Sequence, residues 1–188
     1  GPDGKQNDIR LQRLKDKVGD RSNAGSEVEF CDARAWRVGE ESRGIQTILE
    51  MGTYTRLDCV LGTSSQMRAA LSQAMHHASH RQVFGRRLIE QPMMQNVLAD
   101  LALESEAATV LGMRLARAFD RKTDEQEALL ARVLTPVAKY WVCKRGSIFG
   151  GEAMEVWGGN GYVEDGPLAR IFRQMPLNSI WEGSGNVM

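Results

Sequence analysis

Leu57-Asp-Cys-Val-Leu-Gly-Thr-Ser-Ser-Gln-Met-Arg-Ala-Ala-Leu-Ser-Gln-Ala-Met-His-His-Ala78 decides the fold. Leu57, Val60, Leu61, Met67, Ala70, Leu71, Ala74, Met75 and Ala78 recur at helical spacing over roughly six turns. Ile45, Ile48, Leu49 and Met51 carry the period back toward Glu40, with Gly52 as an interruption, and the pattern is expected to end near Gly85. A second helix is expected from Pro92, a residue suited to a first helical position, to about Asp120. Met93, Met94, Val97, Leu98, Leu101, Leu111, Leu115 and Ala118 form its buried stripe. Arg121-Lys122-Thr123-Asp124 reads as a loop. A third helix runs from Glu125 to about Trp157, where Pro136 should kink or divide it and Gly150-Gly151 is a second weak point. Gly158-Gly159-Asn160-Gly161 stops that helix, and Pro167 to about Met175 forms a short last one.

Residues 1–38 differ in period. Asp3-Gly4-Lys5 is a turn signal. Ile9–Leu14 and Glu27–Cys31 alternate like half-exposed strands around the polar loop 19–26, and Ala33–Val38 closes the region in extended form. Two or three strands cannot cover both of their faces, so they read as the end of a β-domain. The expected fold is therefore mainly α: an antiparallel bundle of long helices over residues 39–188, preceded by a short β remnant over 1–38.

The 24 basic and 24 acidic residues balance, which argues against a whole-chain electrostatic footprint for nucleic acid or anionic lipid. Cys31, Cys59 and Cys143 are scattered and odd in number, as expected of free thiols in a reducing cytoplasm. No stretch reads as a membrane span or a secretion signal. The turn-like opening Gly1-Pro2-Asp3-Gly4 does not resemble a natural start, and a soluble, cytoplasmic fragment is expected.

Chemistry concentrates in Asn178-Ser-Ile-Trp-Glu-Gly-Ser-Gly-Asn186. Glu182 stands between an aromatic residue and glycines that let a backbone approach a ligand closely. Such an acid suits a base acting near neutral pH. The same loop also reads as packing, with Trp181 an anchor and Ser184 a cap. His76-His77-x-x-His80 places two imidazoles on one helix face but lacks the glutamate of a zinc motif and a fourth ligand nearby, so no metal is expected. Arg81-Gln-Val-Phe-Gly-Arg-Arg87 gathers arginines that suit a phosphate or a solvated helix end. Gly158-Gly159-Asn160-Gly161 follows a helix, not a strand, and so is no dinucleotide fingerprint. Arg56 reads as solvated or as paired to a carboxylate.

Taken together these segments resemble the acyl-CoA dehydrogenase family. Lys17-Val-Gly-Asp-Arg-Ser22 and Glu27-Val-Glu-Phe30 resemble the end of that family's middle β-domain, and Arg81-Gln-Val-Phe-Gly85 its R-x-x-F-G motif. Trp157-Gly-Gly-Asn-Gly-Tyr162 resembles F-G-G-x-G-Y, Arg173 stands at an R-D position, and Trp181-Glu-Gly-Ser184 resembles Y-E-G-T. The order and spacing of these motifs carry the resemblance. Arg13–Lys17, Cys143–Gly146 and Met175–Asn186 are similar to the AidB-type branch, flavoproteins associated with the adaptive response to DNA alkylation.

The resemblance implies FAD-dependent α,β-dehydrogenation of an acyl-CoA thioester, isovaleryl-CoA being one candidate. Glu182 would be the base and Arg56 would lie beside it. Arg81 and Phe84 would contact the FAD pyrophosphate and adenosine end. The Gly158-Gly159 backbone would do likewise across a subunit interface of a homo-oligomer, a tetramer in this family. Trp181, Gly183, Ser184 and Asn186 would line the flavin. Three departures stand out: Gln91-Pro92 replaces Phe-Gln, Glu155 replaces a flavin-contacting glutamine, and Thr55 falls where isovaleryl-type members carry another base. The family's other domains help enclose the flavin, so this chain alone is expected to bind FAD poorly and to lack dehydrogenase activity. A second class stays open, a DNA-associated protective flavoprotein. Its duplex site would lie elsewhere in the parent or on a patch of Arg114, Arg117, Arg121, Lys139, Lys144 and Arg145.

Overall fold

A computed structural model describes residues 4–187. The chain divides into two compact units, Gly1–Met51 and Gly52–Met188, and the turn expected at Asp3-Gly4-Lys5 begins outside the described residues.

In the first unit β1 (Ile9–Leu14) pairs antiparallel with β2 (Ser26–Phe30), Ile9 facing Phe30 and Leu14 facing Ser26. The Lys17 ammonium donates to the carbonyls of Asp20 and Asn23 at 2.5 and 2.6 Å and so pins the intervening loop. The half-exposed strand expected at 9–14 is exposed at every residue, because a two-stranded sheet has no layer to pack on. No third strand forms at 33–38 among the described residues. Asn7 holds that segment instead, bonding the Arg34 carbonyl and amide through its side chain at 2.8 Å each.

Four helices follow: α1 (Gly44–His80), α2 (Pro92–Asp120), α3 (Glu125–Val156) and α4 (Pro167–Ile180). No helix among the described residues is long and apolar enough to cross a membrane. Pro92 and Pro167 open their helices, and Asp124 caps α3 by accepting from Gln126 N at 2.9 Å. Val60, Met67, Leu115, Val142, Leu168 and Met175 lie in one buried core. Glycines let α3 approach its neighbours closely. A methyl group at Gly146 would lie 2.7 Å from Thr63 Cγ2, and one at Gly150 would lie 2.6 Å from Met175 Sδ.

Three sequence expectations fail. Helix α1 stops at His80, and a hairpin of β3 (Gln82–Val83) and β4 (Arg86–Arg87) follows. Its two turn residues, Phe84 and Gly85, have φ of 50° and 76°, the left-handed pair that a two-residue hairpin turn needs and a helix cannot hold. Helix α3 is not divided at Pro136, the half of that expectation that fails. The carbonyl that Pro136 deprives of a donor belongs to exposed Arg132, so the helix survives the loss. Helix α4 likewise passes Pro176 and ends at Ile180, not Met175, because Asn178 continues its buried face by donating to Thr63 Oγ1 at 2.9 Å.

Candidate active site

Trp181 leaves the helix in an extended conformation. Glu182 and Gly183 then take φ of 60° and 100°, which reverses the chain so that Gly185 N reaches the Ser179 carbonyl at 2.8 Å. A left-handed conformation costs a glutamate roughly 1–2 kcal/mol, and three contacts from two other helices offset that cost. From α1, the Thr55 hydroxyl donates to Glu182 Oε2 at 2.6 Å and Arg56 Nε donates to the Glu182 carbonyl at 2.8 Å. From α3, Lys139 Nζ donates to the Gly183 carbonyl at 2.7 Å. Hydrogen bonds with a charged partner contribute about 1.5–3 kcal/mol each, so the bonded loop is favoured over the relaxed one. At the loop's far side, Lys144 Nζ donates to Asn186 Oδ1 at 2.8 Å and Ser184 Oγ accepts from the Asn186 amide at 3.5 Å.

A buried polar layer lies under the loop. Thr63 donates to the Cys59 carbonyl at 2.8 Å and accepts from Asn178, tying α1 to α4. Burial raises the Cys59 thiol to about 11, with the neighbouring Cys143 adding to the rise, while Lys139 and the Trp181 indole N–H oppose it. Burial also raises the Cys143 thiol, against the Thr63 hydroxyl and Lys139. Both sulfurs are therefore neutral thiols at physiological pH.

Beside Arg56 opens a cleft of about 440 Å³ lined by Thr53, Arg56, Lys122, Arg132, Thr135 and Pro136, with two alanines completing the wall. Three cations and no carboxylate face it. Lys122 is held there over two rings, 4.1 Å from the centroid of Tyr54 and 4.3 Å from that of Phe119.

The remaining candidates gather at the other end of α1. Arg56 and His80 are separated along the helix axis by roughly 36 Å at 1.5 Å per residue. There Phe84 projects from the hairpin, 99% exposed, with Arg81 exposed at its base. His77 stacks on Trp157 at 5.0 Å, which brings Gly158 and Gly159 to the same end. Neither glycine has an atom within 4 Å of the position a Cβ would take. Among the described residues no three His, Cys, Asp or Glu side chains gather as metal ligands. His80 Nδ1 lies 2.8 Å from the His76 carbonyl. Burial, then the charges of Arg81 and His76, lowers the His77 pKa and keeps the stacked ring neutral.

The basic patch expected from sequence does not form as drawn. Lys139 is wholly buried, Arg114 pairs with Glu127 at 2.9 Å, and Arg145 pairs with Glu104. Sequence reading missed Lys139 as a loop ligand, and Thr55 as the carboxylate's partner. Lys139 shares a helix face with Thr135, Cys143 and Gly146, all buried, and that period is the signal that could have moved it inward.

The fold is a bundle of long helices with one loop-mounted carboxylate and one exposed, glycine-edged end. Residues 42–188 match the acyl-CoA dehydrogenase C-terminal domain, and the chain belongs to the acyl-CoA dehydrogenase family. It is 58% identical over 187 residues to the acyl-CoA dehydrogenase-type protein AidB of Escherichia coli (strain K12), covering 100% of this chain and 35% of AidB. It is 31% identical to acyl-CoA dehydrogenase family member 11 of Caenorhabditis elegans, covering 98% of this chain and 31% of the relative. The crystal structure of C. elegans ACDH-11 in complex with C11-CoA superposes with a TM-score of 0.94 at 29% identity, over 99% of this chain and 32% of that one. The chain thus spans about a third of the length of these relatives.

Proposed function

We propose that this chain is the helical domain of an FAD-dependent acyl-CoA dehydrogenase in which Glu182 removes the proton α to the thioester carbonyl. Residues 1–38 would then close the middle β-domain and 39–188 form the helical one. One observation supports the reading above the others: Glu182 stands in a left-handed loop whose carboxylate and carbonyl are both fixed, by Thr55 and Arg56. Strain held in place by its surroundings marks functional positions. A carboxylate that accepts a single hydroxyl bond can exchange it for a substrate C–H. The cationic cleft beside Arg56 suits the phosphates of a coenzyme A thioester.

The residues present fit a flavin. Phe84 offers an uncovered ring and Arg81 a neighbouring cation for the pyrophosphate and adenosine end. The Gly158-Gly159 backbone is open enough for a ligand to touch. Trp181, Gly183, Ser184 and Asn186 would line the ring system. Bound FAD supplies the acceptor for the β-hydride. The two groups of residues lie farther apart on one chain than a single dinucleotide reaches, so each flavin would draw its two ends from two copies of the protein. A homo-oligomer follows, a tetramer on the family's pattern. The DNA-associated reading has no observation in this chain to favour it.

The test is anaerobic titration of the full-length flavoprotein with acyl-CoA thioesters, isovaleryl-CoA among them. Bleaching of the flavin in the parent and none in Glu182→Gln is expected. Bleaching that persists in Glu182→Gln would overturn the assignment of the base.

A further inference from the structure

Lys139 is a fully buried cation that the proposed chemistry leaves without a task. Its residue exposure is 0%, and no carboxylate stands within ion-pair distance among the described residues. An ammonium is expensive to bury without a counter-charge, and a core of this size has room for a methionine at the same place. What Lys139 does have is the Gly183 carbonyl at 2.7 Å. The carbonyl one residue earlier, that of Glu182, is held by Arg56 at 2.8 Å. Two cations from two helices therefore grip two consecutive carbonyls, in the peptide planes on either side of the Gly183 Cα. Fixing both carbonyl directions fixes the dihedrals between them, which are those of Gly183 at φ 100°, and so holds the turn that carries Glu182.

We infer that Lys139 is a positioning residue: with Arg56 it clamps the Glu182–Gly183 turn and so sets where the Glu182 carboxylate stands. The inference rests on Glu182 being the base. Arg56 alone leaves the Gly183 carbonyl free to rotate, the turn at Gly183 opens, and the Glu182 carboxylate swings away from Thr55. Lys139 does not touch the reacting atoms and acts through the backbone.

The experiment compares full-length Lys139→Met, Lys139→Arg and Glu182→Gln, each with its flavin, by stopped-flow reduction with acyl-CoA and by crystallography. Lys139→Met is expected to reduce its flavin about 10–100-fold more slowly, as loss of alignment does, with the KM for acyl-CoA within about threefold of the parent. In its crystal structure Gly183 should have left its φ of 100°, with the contact between Glu182 and Thr55 broken. Lys139→Arg, which keeps charge and donors, should recover most of the rate. Three results would each sink the idea: a parental rate in Lys139→Met, a slowed Lys139→Met with Gly183 still at its parental φ and the Thr55 contact intact, or loss of flavin from both lysine variants, which would make Lys139 a general stability residue. The crystallographic arm decides independently of turnover. If Glu182→Gln still reduces flavin, the base assignment fails while the clamp is still judged on the geometry of Gly183.

Discussion

Around Thr55 and Arg56, the polar groups at the centre of the Trp181–Gly183 loop are engaged. The Glu182 carboxylate accepts from Thr55, its carbonyl accepts from Arg56, and the next carbonyl accepts from a buried lysine. At the far end of the same helix, Phe84 is 99% exposed and the Gly158-Gly159 backbone has nothing above it. Both ends carry left-handed residues, Glu182 with Gly183 and Phe84 with Gly85. At one end the strain is held by hydrogen bonds from other helices; at the other it is held by a two-residue hairpin and its neighbour Gln91, which donates to the Val83 carbonyl at 3.3 Å. A chemical group must be aimed before substrate arrives, whereas a surface that meets a ligand or a second subunit is completed by the partner itself. On the proposed function, catalysis belongs to the first end and contact to the second.

The strongest way to break that assignment is to exchange the phenotypes. In the full-length flavoprotein, Glu182→Gln should slow flavin reduction by about 10²–10⁴, the range for a general base, and leave flavin content unchanged. Phe84→Ala should do the reverse, weakening FAD retention by about tenfold, near the value of one aromatic contact, while flavin that is still bound is reduced at the parental rate. Fluorescence titration of released FAD and stopped-flow reduction measure the two quantities. Flavin loss from the first variant, or slow chemistry in the second, would erase the distinction.

A smaller effect sharpens the bare end from within. Gly159 and Gly161 belong to one 3-10 turn, yet a methyl at Gly161 would sit 2.2 Å from the Met154 carbonyl, and one at Gly159 would meet nothing within 4 Å. Gly161→Ala should destabilise the chain by about 1–3 kcal/mol, as overpacking does. Gly159→Ala should stay within about 0.5 kcal/mol and act only on ligand binding. Urea denaturation of the two variants checks this. Equal losses would mean that the turn is packed throughout and not open to a ligand.

Much of this was legible before any coordinates. The helix start at Pro92, the loop at 121–124 and the stop at Gly158 follow from local chemistry, and local chemistry is what a sequence displays. Glu182 stood out because glycine and tryptophan flank it. The misses share a different cause. Pro136 and Pro176 are tolerated inside helices because tertiary packing outweighs one lost backbone bond. Phe84 accepts a left-handed conformation usually left to asparagine or glycine, so the hairpin gave no signal. Lys139 was read by its charge as surface, and only the buried period of Thr135, Cys143 and Gly146 contradicts that. The Thr55–Glu182 bond joins residues 127 positions apart, and no local pattern reports such a pair. The separation of the candidates into two clusters is likewise a property of helix length, set by the unbroken run of α1 from Arg56 to His80.

The smallest predicted effect tests the buried layer on which the engaged end rests. The Cys59 thiol is raised from 9.0 to about 11, chiefly by burial. A group that holds its proton more tightly in the folded state contributes stability that is complete below the unfolded value, near pH 9, and is lost as pH climbs toward the folded value. The chain should therefore lose on the order of 1–2 kcal/mol between pH 9 and pH 11 from this one thiol. Alanine cannot ionise, so Cys59→Ala should be the less stable variant at pH 8 yet show a shallower decline toward pH 11. Lysines and tyrosines titrate in the same window, and for that reason the difference between the two pH profiles carries the test, not either profile alone. Identical slopes would mean that water reaches Cys59 freely. The layer beneath Glu182 would then be as open as the far end of the helix, and the contrast between the two ends would lose its physical basis.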